Sequence, residues 1–216
     1  MASWYARGRI WLLRLIDTVW IALFATILGT AIAFVSSFLS ARNLSPHPTV
    51  YFITRRLMEI ARSVPELVYA LGFVFAFGIG PLPGVLAIAV HTVGSQGKLF
   101  SEVHENIDSG QLEGARSTGA NWFQVMRYGV LPQVVPNLVS YTFLRFEVNI
   151  RVSTVIGLVG AGGIGVELIF AIRQFQYQEV SAILLMIIAL VVGLDLASEG
   201  VRRRIVSGNR GEVLAA

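Results

Sequence analysis

The sequence predicts an all-α integral membrane protein. Three features predict it: an excess of apolar residues, long charge-free apolar runs, and polar punctuation between those runs. Of 216 residues, 55% are hydrophobic and 14% charged, and the mean hydropathy is +0.67. Soluble domains carry about 45–50% apolar and about 25% charged residues, so this chain has too little polar surface to coat a water-soluble globule. A helix crossing the hydrocarbon layer needs about 20 mostly apolar residues, and about five segments meet that need. The absence of cysteine excludes disulfides and thiolate metal centres, and His47, His91 and His104 lack metal-ligand spacing. The net charge of +4 comes almost wholly from arginine, Lys98 being the one lysine. The arginines are scattered or sit at span ends, which fits anchoring beside lipid headgroups better than a nucleic-acid surface.

The elements follow in order. Thr18 to Ala41 is a first, charge-free span, too long for a signal-peptide core and therefore retained. Residues 1–17 before it read as an interfacial segment, with Ile10, Leu13 and Trp20 toward lipid and Arg7, Arg9 and Arg14 reaching headgroups. Arg42 to Pro48 is a loop, because its two prolines remove donors and block a helix. The second span starts near Val50 and must take in Arg62, Pro65 and Glu66, since Leu67 to Phe77 alone is too short; it is expected to kink at Pro65. Gly78 to Gly84 is a tight turn, and a third span runs from Pro83 or Gly84 to Lys98, with His91 near its end.

Residues 99–131 form a polar loop. Asp108 or Ser109 can cap a short helix that Gly119 ends, and Asn121 with Gln124 forms a capping pair. Pro132 suits the first turn of a fourth span running to about Leu158. A glycine-rich segment, a polar stretch from Arg173 to Glu179 and a fifth span from Val180 to Ala197 follow. The chain thus divides into residues 1–17, a membrane domain over 18–204 and a polar tail over 205–216. Arg42, Arg55 and Arg56, then Lys98, Arg116 and Arg127, then Arg202 to Arg204 fall on one side of a five-span topology; the arginine bias makes that side cytoplasmic.

Three groups of residues bear on function. Arg145, Glu147, Asn149 and Arg151 lie in the fourth span, where a central charge costs about 2.5–3.5 kcal/mol. Glu147 and Arg151 share one face in the favourable order of signs, and Arg145 and Asn149 share another, so this helix must sit against protein or a wet cavity. Such a set is either a structural ion pair or a lining for an anionic solute, with Arg145 and Arg151 as its cations. Glu66 can pair with Arg62 or with a fourth-span arginine, while His91 and Asp195 read as satisfied packing partners. The run Gly160-Ala161-Gly162-Gly163-Ile164-Gly165 contains G-x-G-x-x-G, but spans on both sides leave no room for the strand–helix unit a dinucleotide needs. Gly160, Gly162, Gly163 and Gly165 instead permit close backbone packing or a helix break. No nucleophile–base set and no carboxylate cluster for a metal is present, so this chain reads as non-catalytic.

Glu113-Gly114-Ala115-Arg116-Ser117-Thr118-Gly119, with Leu131-Pro132 at a fixed distance, resembles the EAA loop of ABC importer permeases: E-A-A, three residues, G, nine residues, I-x-L-P. Gly114 replaces the second residue, the first Ala, and Gly129 the Ile. Longer strings, among them Arg62 to Val68, Tyr128 to Pro136 and Arg145 to Gly165, resemble the permeases of phosphonate importers. The resemblance implies a type I importer fold with about five spans and a cytoplasmic coupling helix, in the bacterial cytoplasmic membrane. It implies import of phosphonate or a related phosphorus oxyanion, with Glu113, Gly114, Ala115, Arg116, Gly119, Leu131 and Pro132 engaging the ATPase. It further implies a second permease copy, two ATPases that hold the ATP and Mg, and an external phosphonate-binding protein; this chain itself binds no cofactor. Some relatives carry an extra leading span, for which this chain is too short. Two rivals are an ion-gradient transporter, which calls for inverted repeats that the sequence lacks, and an ABC permease for another solute such as an amino acid.

Overall fold

A computed structural model describes residues 2–213, with side chains from Arg7 to Gly200 apart from Ser109, Leu112 and Glu199. No strand occurs among the described residues. Helix α1, Ala2–Ser40, is continuous over 39 residues, about 58 Å at the usual rise, so it outreaches the ~30 Å hydrocarbon layer. No helix break separates the first 17 residues from the span. Ile10, Leu13 and Trp20 are exposed, as their spacing suggests. Two of the nearby arginines also have carboxylate partners: Arg7 pairs with Glu179, and Arg14 meets Glu167 at 3.3 Å and Asp17 at 3.5 Å.

Helix α2, Pro48–Ser63, is opened by His47, whose ring accepts from the Thr49 amide. Helix α3, Glu66–Phe77, follows at 88°. The expected kink is therefore a full break. Pro65 has no N–H and excludes Val64 from the helical region; Val64 sits at φ −88°, ψ 127°. Helix α4, Pro81–Glu105, runs on past the expected end at Lys98, which places His91 mid-helix. It is the central helix, packed by α1, α2, α3 and the later α7. Its Thr92, Gln96, Ser101 and His104 are buried.

After the short α5, Ser109–Ser117, and α6, Trp122–Gln124, a π-helical stretch over Val125–Val130 leads into α7, Leu131–Ile156. Pro132 explains the π stretch: with no N–H to give, it cannot close the normal turn onto Tyr128. Helix α8, Ile164–Arg173, continues α7 with a 42° bend. Helix α9, Tyr177–Val213, returns alongside. The segment read as a polar tail is thus helical as far as Val213; residues 214–216 and the side chains of Arg202 to Arg204 lie outside what is described.

Among the described residues, only α1 and α9 are long and apolar enough to cross a membrane alone; α2 with α3, and the helix ending in α7 with α8, do so as bent pairs. The remaining expected crossing is α4, which does not pass on composition. It need not, since its polar side chains face other helices rather than lipid. One apolar cluster, with Phe38, Leu44, Phe100, Val130 and Val134, joins the end of α1 to the loop end of α4 and α7. Another, with Trp11, Leu15, Ile164 and Ile183, joins the opposite end of α1 to α8 and α9. The loop and the N-terminal end of α1 therefore lie at opposite ends of the molecule.

Candidate coupling surface and polar lattice

The loop between α4 and α7 folds as its sequence suggests. Asp108 Oδ1 accepts from the Gly110 amide at 2.9 Å, capping α5. Gly119 takes φ +77°, ending it. Asn121 and Gln124 exchange reciprocal bonds of 3.0 and 2.9 Å, a complete capping box. The loop is also tied to its surroundings by contacts that the sequence did not reveal. The Asp108 amide donates to Gln133 Oε1 at 3.0 Å, Trp122 Nε1 donates to the Leu44 carbonyl at 3.3 Å, and Arg116 reaches the Asn43 carbonyl at 3.5 Å. Asn43 in turn donates to the His104 carbonyl at 2.8 Å, and Arg55 holds Glu105 at 3.0 Å. Ala115 and Leu131 pack against the adjoining apolar cluster. Glu113 is exposed, and nothing lies within 4 Å of where a Gly114 side chain would be. One side of α5 is anchored, and the Glu113–Gly114 side is bare.

Some 21 Å further along α7 from Leu131, at the helical rise of about 1.5 Å per residue, lies a polar lattice inside the helix bundle. Arg145 is central to it. Its Nη2 donates to His91 Nδ1 at 2.7 Å and lies 3.6 Å from Glu66 Oε1; its Nε donates to Thr92 Oγ1 at 3.2 Å. Glu66 Oε1 is also 2.8 Å from His91 Nδ1. Asn149 is fully buried and donates to Thr26 Oγ1 at 2.8 Å and Thr92 Oγ1 at 3.2 Å. Gln96 bridges Thr30 and Thr142 at 2.7 and 3.2 Å. An uncompensated charge here would be costly, so the arginine has a carboxylate and the asparagine has hydroxyl partners.

The structure thus joins Arg145, Asn149, Glu66 and His91, four residues singled out from sequence, and adds Thr26, Thr92 and Gln96. The signal for those three was their polarity within apolar runs. The i,i+4 pairing expected between Glu147 and Arg151 is absent. Arg151 instead donates to both oxygens of Asp195 on α9, at 3.0 and 3.1 Å, because α9 offers a carboxylate at that level. Arg62 is exposed and pairs with no carboxylate among the described residues.

The glycine run works by close approach. Gly160, Gly162 and Gly163 all have positive φ. A Cβ on Gly165 would lie 2.2 Å from the Thr154 carbonyl oxygen. Pro65 stands at the break between α2 and α3.

The chain from 25 to 210 matches the model of a family described as binding-protein-dependent transport system inner membrane component. It is 47% identical over 196 residues to the phosphite transport system permease protein PtxC of Stutzerimonas stutzeri, covering 91% of this chain and 71% of that protein. It is 40% identical over 196 residues to the phosphate-import permease protein PhnE of Mycolicibacterium smegmatis, covering 89% of this chain but only 37% of that protein. Over 122 residues it is 50% identical to the putative cryptic phosphonate transport system permease protein PhnE2 of Escherichia coli, 56% of this chain and 100% of that protein. Among solved structures, an amino acid ABC transporter superposes with TM-score 0.76 at 20% identity, covering 94% of this chain and 97% of that one. An inward-facing MetNI methionine ABC transporter also gives 0.76, at 19% identity over 93% of this chain and 98% of that one. At those identities the likeness shows the fold alone.

Proposed function

This chain belongs to the binding-protein-dependent transport system inner membrane components, and from that premise we infer that it is the membrane permease subunit of an ATP-driven importer for a phosphorus oxyanion. It is a transport subunit of the inner membrane with the type I ABC importer fold. The observation that carries the coupling assignment is the capped α5, fastened on one side to the loop after α1 and to the start of α7 and bare at Glu113 and Gly114. A rigid knob at the membrane surface is what a separate ATPase needs in order to push on a pore.

The oxyanion assignment rests on relatives named for phosphite, phosphate and phosphonate transport. It is supported by Arg145 at mid-bundle, with Glu66, His91 and Asn149 around it and Arg151, Glu147 and Arg62 nearer the rim. We assign these residues to the translocation path of an assembly with a second permease copy, two cytoplasmic ATPases that hold ATP and Mg, and an external binding protein. ATP-driven closure of the ATPases would move α5 and open the path outward; hydrolysis would reset it.

The test is co-purification and reconstitution. The ATPase should come down with this chain, and Glu113→Arg should release it or abolish its stimulated turnover. Proteoliposomes holding the full assembly should take up phosphite or phosphate only with ATP inside. Uptake without an ATPase, or no uptake of any phosphorus oxyanion, refutes the assignment.

A further inference from the structure

Two cavities open beside the Glu66–Arg145 pair. On the side toward the coupling loop, a cavity of about 300 Å³ is lined by Ser95, Gln96, Tyr141 and Arg145. On the side away from the loop, one of about 250 Å³ is lined by Pro65, Glu66, Arg151 and Val155. Each cavity thus has one arginine, and Glu66 of the second meets Arg145 of the first at 3.6 Å.

The chemistry of the pair suits an exchange. A guanidinium takes a carboxylate or a phosphorus oxyanion in the same way, through charge-assisted N–H bonds to oxygen. Left bare in a low-dielectric bundle, Arg145 would bear a large desolvation cost. If an incoming oxyanion takes the place of the carboxylate, the cation never stands uncompensated. His91 completes the geometry. Its Nδ1 faces both Glu66 Oε1 at 2.8 Å and Arg145 Nη2 at 2.7 Å. One ring nitrogen can donate to the first or accept from the second, but not both. When that nitrogen accepts from Arg145, the carboxylate keeps only the 3.6 Å approach to the guanidinium. Glu66 is also the first residue of α3, directly after the 88° break at Val64 and Pro65, so its departure is free to carry the start of α3 with it.

We propose that Glu66 is a built-in stand-in for the transported oxyanion: it occupies Arg145 between transport events, and a phosphorus oxyanion coming from the Arg151 cavity displaces it. This deepens the function inferred above and rests on it. The same exchange makes Arg145 the specificity group for anions and Glu66 its competitor.

The test measures direct binding of inorganic phosphate and phosphite to the purified permease–ATPase complex, without binding protein or ATP. Glu66→Gln keeps the side-chain shape and removes the competing charge, so it should bind both anions at least tenfold more tightly than the unmodified complex. Glu66→Asp should resemble the unmodified complex, and Arg145→Gln should abolish binding in either background. Recovery of the ATPase with each variant reports assembly. An assembled Glu66→Gln complex that binds no more tightly, or binding that survives Arg145→Gln, overturns the proposal. If the unmodified assembly still imports phosphite in either case, the function inferred above stands and only the stand-in role falls.

Discussion

Gly114 and Gly119 sit five residues apart in the coupling loop, and an added Cβ at either would meet nothing within 4 Å. Neighbour contacts therefore predict that both tolerate alanine. Backbone conformation predicts otherwise. Gly114 lies inside α5, where glycine is about 0.8–1.0 kcal/mol worse than alanine; relieving that cost should slow local opening about fivefold. Gly119 holds φ +77°, where an L side chain costs about 1–2 kcal/mol, so alanine there should speed local opening by about fivefold to thirtyfold. Hydrogen exchange on the permease in detergent, followed by mass spectrometry over peptides spanning 105–124, reads both directly, because exchange reports local opening free energy. Gly114→Ala should protect α5, and Gly119→Ala should expose it. Equal shifts in the same direction would show that α5 is not held by the cap geometry described.

Three further outcomes follow from the packing. Gly165→Ala would place a Cβ 2.2 Å from the Thr154 carbonyl and 2.9 Å from Gly157 Cα, backbone that cannot yield cheaply; a loss of about 1–3 kcal/mol or more is expected, read as a lower melting temperature in detergent, and an unchanged melting temperature would refute the close approach of α7 and α8. Asn149→Leu removes two buried bonds to hydroxyls on α1 and α4; at about 0.6 kcal/mol per bond within a membrane, a loss of about 1–2 kcal/mol should appear in an SDS unfolding titration, and no loss would mean the lattice does not hold the bundle. Asp195→Asn leaves Arg151 without its carboxylate, but the two side chains are 42% and 50% exposed; stability should move by less than about 1 kcal/mol, and a larger fall would show that this pair is buried in the assembly.

Local chemistry was the legible part of this chain. Asp108, Gly119 and the Asn121–Gln124 pair announced the coupling loop because caps and turns depend on residues a few positions apart. Apolar run length announced α1 and α9 for the same reason. Pro65 announced an interruption, but a proline says only that a helix is disturbed; the 88° angle is set by where α3 finds partners on α4. The end of α4 was placed at Lys98 because polarity was read as a boundary. In a helix surrounded by protein, a polar residue such as His104, 3.0 Å from Ser37 of α1, is instead an internal tie. The pairing of Arg151 was misjudged for a related reason: spacing along a helix shows which charges can meet, and only the position of α9 shows that Asp195 is there. Glu66 with Arg145 was foreseeable as a possibility, since few buried charges were available to balance one another.

The lattice is placed so that motion at the loop reaches it. Arg145 belongs to α7, whose first turns issue from the loop, and His91 belongs to α4, whose last turns enter it. Glu66 belongs to α3, which joins the loop at neither end. A displacement of α5 therefore acts on two members of the cluster and not directly on the third. From Leu131 to Arg145 is about 21 Å of helix. A tilt of α7 by about 10° about its loop end would shift Arg145 by about 3–4 Å over that length, and the π-helical stretch and Pro136 make such a tilt easier than in an unbroken helix. That shift is as large as the 3.6 Å separation of Arg145 from Glu66. A tilt of that size is enough to make or break the contact between Arg145 and Glu66.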